Sequence, residues 1–320
     1  METKEKEIIP PVSREEIKSE LTKTYFLRQT NNASNEIYVI DGHGCPAVLR
    51  EVGRLRELSF RMAGGGTGEE IDLDAFDTAN PPYKQLIVWD PQSEEIIGGY
   101  RYILCGDTGF DANGSPQLAT SELFHFSPTF IRDYYPYTIE LGRSFVQPAY
   151  QPSRENRKSI YSLDNLWDGL GALVVNNPHI RYFFGKVTMY THFNTYARDL
   201  ILYFLHRFFP DKEKLVCPID PLPLATAEED LEGIFVSDTF NGNYKILLKL
   251  VRDQGENIPP LINSYMGLSP SMRTFGTAIN DHFGGVEETG IMVTINDIYE
   301  AKKERHVNSY HARPLGINLK

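Results

Sequence analysis

The sequence predicts an α+β protein in which a β-hairpin and further strands are combined with amphipathic helices. Two patterns indicate this class. The segment "QLIVWDPQSEEIIGGYRYILC" places two β-rich runs around the polar turn "DPQSEE", which is typical of an antiparallel hairpin. In addition, apolar residues recur at helical spacing in segments before this hairpin and between the later strands.

The composition is that of an ordinary globular protein. The chain has 320 residues, of which 41% are hydrophobic and 12% aromatic, enough to bury a large core. Its formal net charge of -11 argues against non-specific binding to nucleic acid, which requires a positive surface. A local basic patch that receives an acidic partner stays compatible with this charge.

Cysteine and histidine spacing predicts neither disulfides nor a metal site. Cys45, Cys105 and Cys217 lie far apart, and no histidine pair has the ligand spacing of a metal-binding helix. The N-terminus lacks an apolar run of signal-peptide length, and the most apolar segment, 199–209, is far shorter than the roughly 20 residues that span a bilayer. We therefore expect a cytoplasmic protein, with at most a peripheral contact at the inner face of the membrane.

The elements before the hairpin are expected to be helical. Ser13 followed by Glu16 has the capping-box pattern of a helix start. A second helix is expected over "VIDGHGCPAVLREVGRLRELSFRM", from about Val39, because its apolar residues repeat at helical spacing. The next segment, "AGGGTGEEIDLDAF", contains four glycines, which predicts a mobile flap. It lacks the Gly-Lys-Ser/Thr ending of a phosphate-binding loop.

After the hairpin, strands and helices alternate. We expect a strand at "YTIELGRSFV", an amphipathic helix at "SRENRKSIYSLDNLWDGLGALVVNN", a strand at "IRYFFGKVTM" and a helix at "HFNTYARDLILYFLHRFF". Beyond Pro210 follow a proline-rich acidic connection, a helix up to Gly255 and a final strand, "GIMVTINDI". This order predicts an N-terminal helical segment over 1–36, a core over 37–210 and an extension over 211–320 that ends in a loose basic tail.

Two charged residues stand out because a buried strand carries them. Glu140 and Arg143 lie three apart in "TIELGRSFV". An unpaired buried charge costs on the order of several kcal/mol. These residues must therefore be paired, for example with Arg101 or with the acidic loop, or be used in chemistry, and the residues alone leave both explanations equal.

The acidic series "EIDLDAFD" also has both a functional and a structural explanation. It includes Asp72, Asp74 and Asp77, which could share one face of an extended segment and attract a cationic group. Charge runs of this kind are more often solvated loops.

Taken in order, four motifs resemble those of the acyl-homoserine-lactone synthases: "RELSF", "DLDAFD", "IIGGYR" and "IELGRSFV". The segments "ELGRSFVQPAYQ", "LWDGLGALV" and "PPLINSYMGL" are more similar to a sister branch, the hemolysin-like N-acyltransferases that make ornithine and glycine lipids. The resemblance runs from about Arg54 to Val293. Two departures from the synthases favour the lipid branch, namely Asp72 in place of a glutamate and the segment from Pro259 onward.

This resemblance implies a GNAT-like acyltransferase fold, an α+β fold in which helices cover a mixed, mostly antiparallel sheet in α/β/α layers, with a C-terminal extension. It implies catalytic roles for Arg101, Arg143 and Glu140, with Glu140 as general base or positioner of the amine. The arginines would hold the acidic groups or bind the carboxylate of an amino acid. The implied substrate-binding residues are Arg56, Phe60, Asp72, Asp74, Asp77 and Ser144.

In the GNAT fold two strands splay apart, and the pantetheine arm of the thioester lies between them. The resemblance implies that "TIELGRSFV" and "RYFFGKVTM" are this pair, with Phe145 and Val146 at the acyl donor. Arg154, Arg157 and Lys158 would bind the phosphopantetheine phosphate or the acidic surface of a carrier protein. On charge alone, these three cations are equally well explained as helix-surface charge.

The function implied is N-acyl transfer in aminolipid synthesis. A (3-hydroxy)fatty acyl group would move from acyl carrier protein or CoA to the amine of glycine or ornithine, without a permanently bound cofactor. The alternatives are a CoA-dependent acetyltransferase of a small amine and a non-catalytic protein that binds acyl thioesters. The C-terminal extension is expected to pack on the sheet and cover the acyl tunnel.

Overall fold

An eight-stranded sheet forms the centre of the protein. The computed structural model describes residues 5–151 and 161–311. The strands of the whole protein, in chain order, are β1 (Phe26–Gln29), β2 (Glu36–Ile40), β3 (Lys84–Asp90), β4 (Glu95–Leu104), β5 (Phe124–Phe126), β6 (Thr138–Val146), β7 (Tyr182–Met189), β8 (Val216–Pro218), β9 (Arg273–Asn280) and β10 (Val286–Thr294). The order in the large sheet is β1-β2-β3-β4-β6-β7-β10-β9, and only the β6–β7 pair is parallel. β5 and β8 form a separate small sheet.

Helices cover both faces of the large sheet. They are α1 (Arg14–Glu20), α2 (Pro46–Met62), α3 (Ala75–Thr78), α4 (Pro128–Asp133), α5 (Ser162–Asn176), α6 (Thr195–Phe208), α7 (Glu228–Glu232), α8 (Phe240–Asp253), α9 (Pro260–Met266) and α10 (Glu300–His306). α2 shares a core cluster with Ile87 and Trp89, whereas α5 shares one with Leu86 and Val88. Because successive side chains of a strand point to opposite faces, α2 and α5 lie on opposite sides. We call these sides the α2 face and the α5 face; they confirm the predicted α+β layers.

The hairpin and the elements after it form as predicted. β3 and β4 pair antiparallel around the polar turn. β6, α5, β7 and α6 follow in the predicted order, and α8 and β10 account for the later helix and the final strand.

The N-terminal part contains more strand than the sequence analysis predicted. Segment 1–36 includes β1 and the first residue of β2 in addition to α1. The second helix starts at Pro46, not near Val39, because Val39 still belongs to β2. The capping box of α1 does not form, since the Ser13 hydroxyl donates to Glu15 at 2.8 Å instead. Strands of four and five residues are too short to give a clear alternation in the sequence.

The C-terminal part extends the sheet itself. β10 pairs with β7, and β9 pairs with β10. β9 escaped prediction because Gly276, at a φ of 88°, interrupts its β pattern. The basic tail was predicted to be loose, but its first part forms α10 and is held by α5. There, the ring of buried His306 lies 2.8 Å from the carboxylate of Asp168. Residues 312–320 lie outside the described ranges. The boundaries after 36 and 210 stay predictions, although strands from all three parts build the one sheet.

Two smaller findings concern the membrane and the cysteines. Every helix in residues 5–151 and 161–311 is too short or too polar to cross a bilayer. Cys45 and Cys105 are buried as expected, but Cys217 is exposed, because the short strand β8 turns this side chain outward.

Candidate active site

β6 and β7 separate part-way along their length and leave a crevice between them, which we call the wedge. Their parallel pairing ends at the pair Leu141–Gly185. β6 nevertheless continues to Val146 beside β4, and β7 continues to Met189 beside β10. The described residues offer no strand partner to the edges that face each other beyond the last pair, so their backbone groups can bind an extended ligand. The predicted splayed pair is thereby confirmed.

A cavity of about 30 Å³ lies at the apex of the wedge. β6 contributes Arg143 and Ser144 to it, and β7 contributes Lys186, directly after the last pair. The C-terminal part contributes Leu261 and Tyr265 of α9 to its lining, and the expected role of this part as a cover of the acyl tunnel stays a prediction. The other lining residues are Tyr100, Leu141, Gly142, Phe183, Phe184, Gly185, Ile291 and Val293.

Arg143 occupies a β-bulge. The register with β4 shifts there, so that Arg143 and Ser144 together oppose Tyr100. Arg143 adopts a φ of 47°, which is uncommon for a residue with a side chain. Residues three apart in a regular strand point to opposite faces, whereas the bulge turns Arg143 to the α2 face, where Glu140 also lies.

A buried ion cluster of three arginines and three aspartates lies on this α2 face. Its members are Arg56, Arg101, Arg143, Asp72, Asp74 and Asp77. Asp77 is at the centre and accepts hydrogen bonds from Arg56 at 3.2 Å and from Arg101 at 3.3 Å. Burial opposes the ionisation of Asp77, but the two guanidinium groups outweigh it and hold its pKa at about 2. Arg56 is itself fully buried and also donates to Gln85, a partner that the sequence analysis missed.

The spacing of the acidic residues in "DLDAFD" follows from a helix cap. The Asp74 carboxylate accepts from the Phe76 backbone N–H at 2.9 Å, and the Asp77 carboxylate accepts from the Asp74 N–H at 3.1 Å. The other oxygen of Asp74 accepts from Arg101 at 2.7 Å. The cap of α3 therefore aims two carboxylates at one buried arginine.

Arg143 forms the accessible end of the ion cluster. Its Nε donates to Asp72 at 3.1 Å, and its guanidinium lies 4.2 Å from the ring centre of Phe283. Burial raises the pKa of Asp72, although Arg143 acts against this. Within the described residues the two Nη groups make no hydrogen bond, and the nearest further carboxylate oxygen, on Asp74, is 3.8 Å from Nη2. Arg143 can therefore receive an anion that enters the wedge.

Glu140 is buried behind a tyrosine and is not paired with an arginine of the described residues. Its oxygens accept from the Tyr83 hydroxyl and from the Thr120 N–H, the latter at 2.9 Å. The Arg101 guanidinium lies 5.3 Å from the Tyr83 ring centre, so Tyr83 separates Glu140 from the ion cluster. Burial, with a contribution from Glu140, raises the pKa of Tyr83 well above its usual range. Tyr83 and Thr120 were not predicted, because they contact Glu140 from distant parts of the chain.

The facing strand carries a second charged pair that the sequence analysis also missed. The Lys186 ammonium donates to Glu288 of β10, which is buried. Glu288 also accepts from Asn280 at 2.9 Å and from Thr188 at 3.3 Å. A signal was present, because a cation interrupts the apolar run "YFFGKVTM" just as Arg143 interrupts its own strand.

Several predicted contacts lie away from the cavity. Phe60 packs edge-on against Phe283, with ring centres 5.1 Å apart, in the core beneath Arg143. Phe145 is buried on the α2 face, and Val146 is half-buried on the α5 face. Arg154, Arg157 and Lys158 fall outside the described residues.

The glycine-rich loop is hydrogen-bonded to α2, where the sequence predicted a free flap. Buried Glu57 accepts from the Thr67 N–H at 3.0 Å, from the Thr67 hydroxyl at 2.7 Å and from the Gly68 N–H at 2.9 Å. The turn requires glycine, since Gly64 and Gly66 adopt φ values of 93° and 97°.

Comparison with known proteins places this geometry among acyltransferases. Residues 55–158 match the family model of the acetyltransferase (GNAT) domain. Over 304 residues the chain is 56% identical to a glycine N(alpha)-acyltransferase of Bacteroides thetaiotaomicron and 54% identical to one of Phocaeicola vulgatus. Both alignments cover 95% of this chain, and they cover 90% and 93% of the two relatives.

Among solved structures, the CoA-dependent acyl-homoserine lactone synthase BjaI, with SAM and isopentyl-CoA, aligns over 86% of this chain and 89% of its own. The TM-score of 0.38 and the identity of 12% are too low to carry an argument. The domain match, together with the mixed sheet and the wedge, confirms the GNAT-like fold that the sequence predicted.

Proposed function

This chain belongs to the acyltransferase family of the glycine N(alpha)-acyltransferases, and from that premise we propose that it transfers a fatty acyl group from a thioester to the amine of glycine. The observation that carries the proposal is the 56% identity, over 95% of this chain, with a relative of that name. The product would be an N-acylglycine, an aminolipid. Since the family is one of enzymes, the non-catalytic alternative is not retained.

The wedge would hold the acyl donor. A pantetheine arm is extended and rich in amides, so it can bond to the strand edges that β6 and β7 expose beyond Leu141 and Gly185. Phe183, Leu261 and Ile291 supply apolar contacts at the apex, where the acyl group would begin. We take the donor to be a long-chain or 3-hydroxylated acyl thioester, carried by acyl carrier protein or CoA.

The ion cluster would hold the acceptor. Arg101 donates to both Asp74 and Asp77 through one of its Nη groups, so its role would be to keep these carboxylates in place. Arg143 lines the wedge, and its two Nη groups make no hydrogen bond within the described residues, so it would bind the glycine carboxylate. Asp72 would orient Arg143 through its bond to Nε.

The reaction requires the glycine ammonium to lose a proton before it attacks. The amine nitrogen then forms a bond to the thioester carbonyl carbon, the C–S bond breaks, and the sulfur leaves as a thiol after taking a proton. In all, the nitrogen loses two protons on its way from ammonium to amide, of which the sulfur takes one and the other is released. Glu140 is our candidate to accept or guide that proton; because Tyr83 donates to it, the path would run through the Tyr83 hydroxyl or a water molecule.

The test is direct assay of the purified protein. Glycine is offered with a series of acyl-CoA and acyl-carrier-protein donors, and N-acylglycine is measured by mass spectrometry together with thiol release. Formation of N-acylglycine with equimolar thiol supports the proposal. Thiol release without an amide product, or transfer to ornithine but not to glycine, would overturn it.

A CoA-dependent acetyltransferase of a small amine is the second candidate. The observation that favours it is the small cavity of about 30 Å³ at the apex, which suits a short acyl group better than a long chain. A rate with acetyl-CoA that exceeds the rate with palmitoyl donors would select this candidate.

The choice of donor, carrier protein or CoA, and a peripheral contact with the membrane are further parts of the proposal. Both can be measured with the same protein. A kcat/KM at least about 10-fold higher for the carrier-protein thioester would correspond to more than 1.4 kcal/mol of carrier recognition. Co-sedimentation with vesicles of phosphatidylglycerol and phosphatidylethanolamine tests the membrane contact.

A further inference from the structure

Lys186 is a cation at the apex of the wedge that the proposed reaction has not used. It follows the last β6–β7 pair directly, and it lines the same cavity as Arg143 of the facing strand. Its side chain is 14% exposed and that of Arg143 is 13% exposed, so both lining residues are mostly buried.

Glu288 fixes Lys186 in this place without using all of its donors. Glu288 is itself held by Thr188 and Asn280, so its carboxylate has a defined orientation. An ammonium group carries three N–H donors. Within the described residues Lys186 uses one of them, on Glu288, which leaves donors for a second anion.

A purely structural role explains this pair poorly. Replacing a buried ion pair by apolar residues is often neutral for stability or even stabilising. A lysine at the apex of the wedge, held by a buried glutamate, is instead in the right place to contact a ligand that enters the wedge. The matching arrangement on β6, where buried Asp72 holds Arg143, supports the same interpretation.

We propose that Lys186 and Arg143 form a two-strand clamp for the carboxylate of the acceptor. This inference rests on the proposed function and narrows its acceptor to amino acids with a carboxylate next to the amine. Two cations on different strands, one for each carboxylate oxygen, fix the amine nitrogen relative to the thioester carbon. A simple amine would bind without this orientation.

The experiment compares glycine with glycinamide, which has the amine but lacks the carboxylate. The double variant Lys186→Met/Glu288→Gln removes the cation and its partner charge together. We expect kcat/KM for glycine to fall about 10- to 100-fold, mainly through KM, because a charge-assisted contact is lost. The kcat/KM for glycinamide should stay within about twofold, since no carboxylate contact exists to be lost.

Further variants separate the clamp from folding. Lys186→Gln still donates to Glu288, and it should show the same selective loss if the double variant is unstable. Lys186→Arg keeps the charge and should retain most of the preference for glycine. Lys245→Met is the matched control, since Lys245 lies exposed on α8, and it should change neither acceptor.

The outcomes distinguish the two proposals. If the wild type uses neither acceptor, the proposed function fails and the clamp fails with it. If the wild type acylates glycine but the folded variants lose glycine and glycinamide equally, or lose neither, the clamp alone is refuted. An equal loss would place Lys186 at the thioester, and no loss would make it a structural residue.

Discussion

Arg143 projects from the same face of β6 as Glu140, three residues earlier. The bulge at Arg143, with its φ of 47°, produces this alignment, which a regular strand would prevent. As a result, the accessible cation of the ion cluster lies at the wedge, and a buried carboxylate lies behind Tyr83 beside the same cluster. The two charged residues of this strand therefore have different partners: Arg143 pairs with Asp72, and Glu140 accepts from Tyr83.

Replacing Glu140 by glutamine should lower kcat by about 100-fold or more, because the proposed proton acceptor loses its charge. The measurement is kcat and KM for glycine and for the acyl donor. We expect the loss to fall on kcat, with both KM values within about twofold of the wild type, because a proton acceptor acts on the reacting amine and not on binding. A purely structural role for Glu140 would instead raise the KM values or lower the thermal stability of the variant.

The matched control for this change is Glu232→Gln, on the exposed surface of α7. It should keep the wild-type kcat and KM. Circular dichroism and thermal melting of both variants establish that the fold is retained. An unchanged rate in folded Glu140→Gln would remove Glu140 as base and as positioner.

Replacing Arg56 by methionine should destabilise the protein by about 3–5 kcal/mol, because it leaves Asp77 and Gln85 buried without a full set of partners. The free energy of unfolding in urea measures this loss. Arg132→Met is the control, since the Arg132 side chain is 68% exposed and pairs only with its neighbour Asp133 among the described residues. Equal unfolding midpoints for the two variants would contradict a structural role for the ion cluster.

The ion cluster also predicts a pH dependence of stability. The pKa of Asp77 is about 2 in the folded protein against an ordinary value of 3.8, so its ionised form stabilises the fold above that ordinary value and this contribution is lost as pH falls toward 2. The difference in unfolding free energy between wild type and Asp77→Asn should therefore shrink by about 2 kcal/mol between pH 5 and pH 2.

Asp72 should affect the pH dependence of stability in the opposite direction to Asp77. Burial raises its folded pKa, so the stability that its protonated form contributes is present at low pH and is lost as pH rises through that pKa. The difference between wild type and Asp72→Asn should therefore grow as pH falls. If both differences change in the same direction, the assignment of these two carboxylates is wrong.

The wedge predicts an effect of adding one methyl group at its apex. A Cβ on Gly185 would lie 2.4 Å from the Leu141 carbonyl oxygen, so Gly185→Ala should force the last strand pair apart. We expect a loss of about 1–3 kcal/mol in stability and a higher KM for the acyl donor. Gly233→Ala is the control, because nothing lies within 4 Å of a Cβ there. Wild-type stability and donor KM in Gly185→Ala would contradict the described geometry of the wedge.

The local elements were readable because their signals lie among neighbouring residues. Helical spacing located α5 and α6, and the polar turn located the hairpin of β3 and β4. β1, β2 and β9 were missed, since short or glycine-interrupted strands carry little periodicity. The fold of the glycine-rich loop was also hidden, because it depends on the carboxylate of Glu57, which lies 10 residues before Thr67.

By itself, the sequence determined the layered α+β class, the order of most elements, the splayed strands and the family. Only the tertiary structure decided which charges meet. Arg143 pairs with Asp72, 71 residues away, and Lys186 pairs with Glu288, 102 residues away. The physical reason is that periodicity is a property of adjacent residues, whereas an ion pair depends on which distant strands the packed sheet brings together and on which face a bulge turns a side chain.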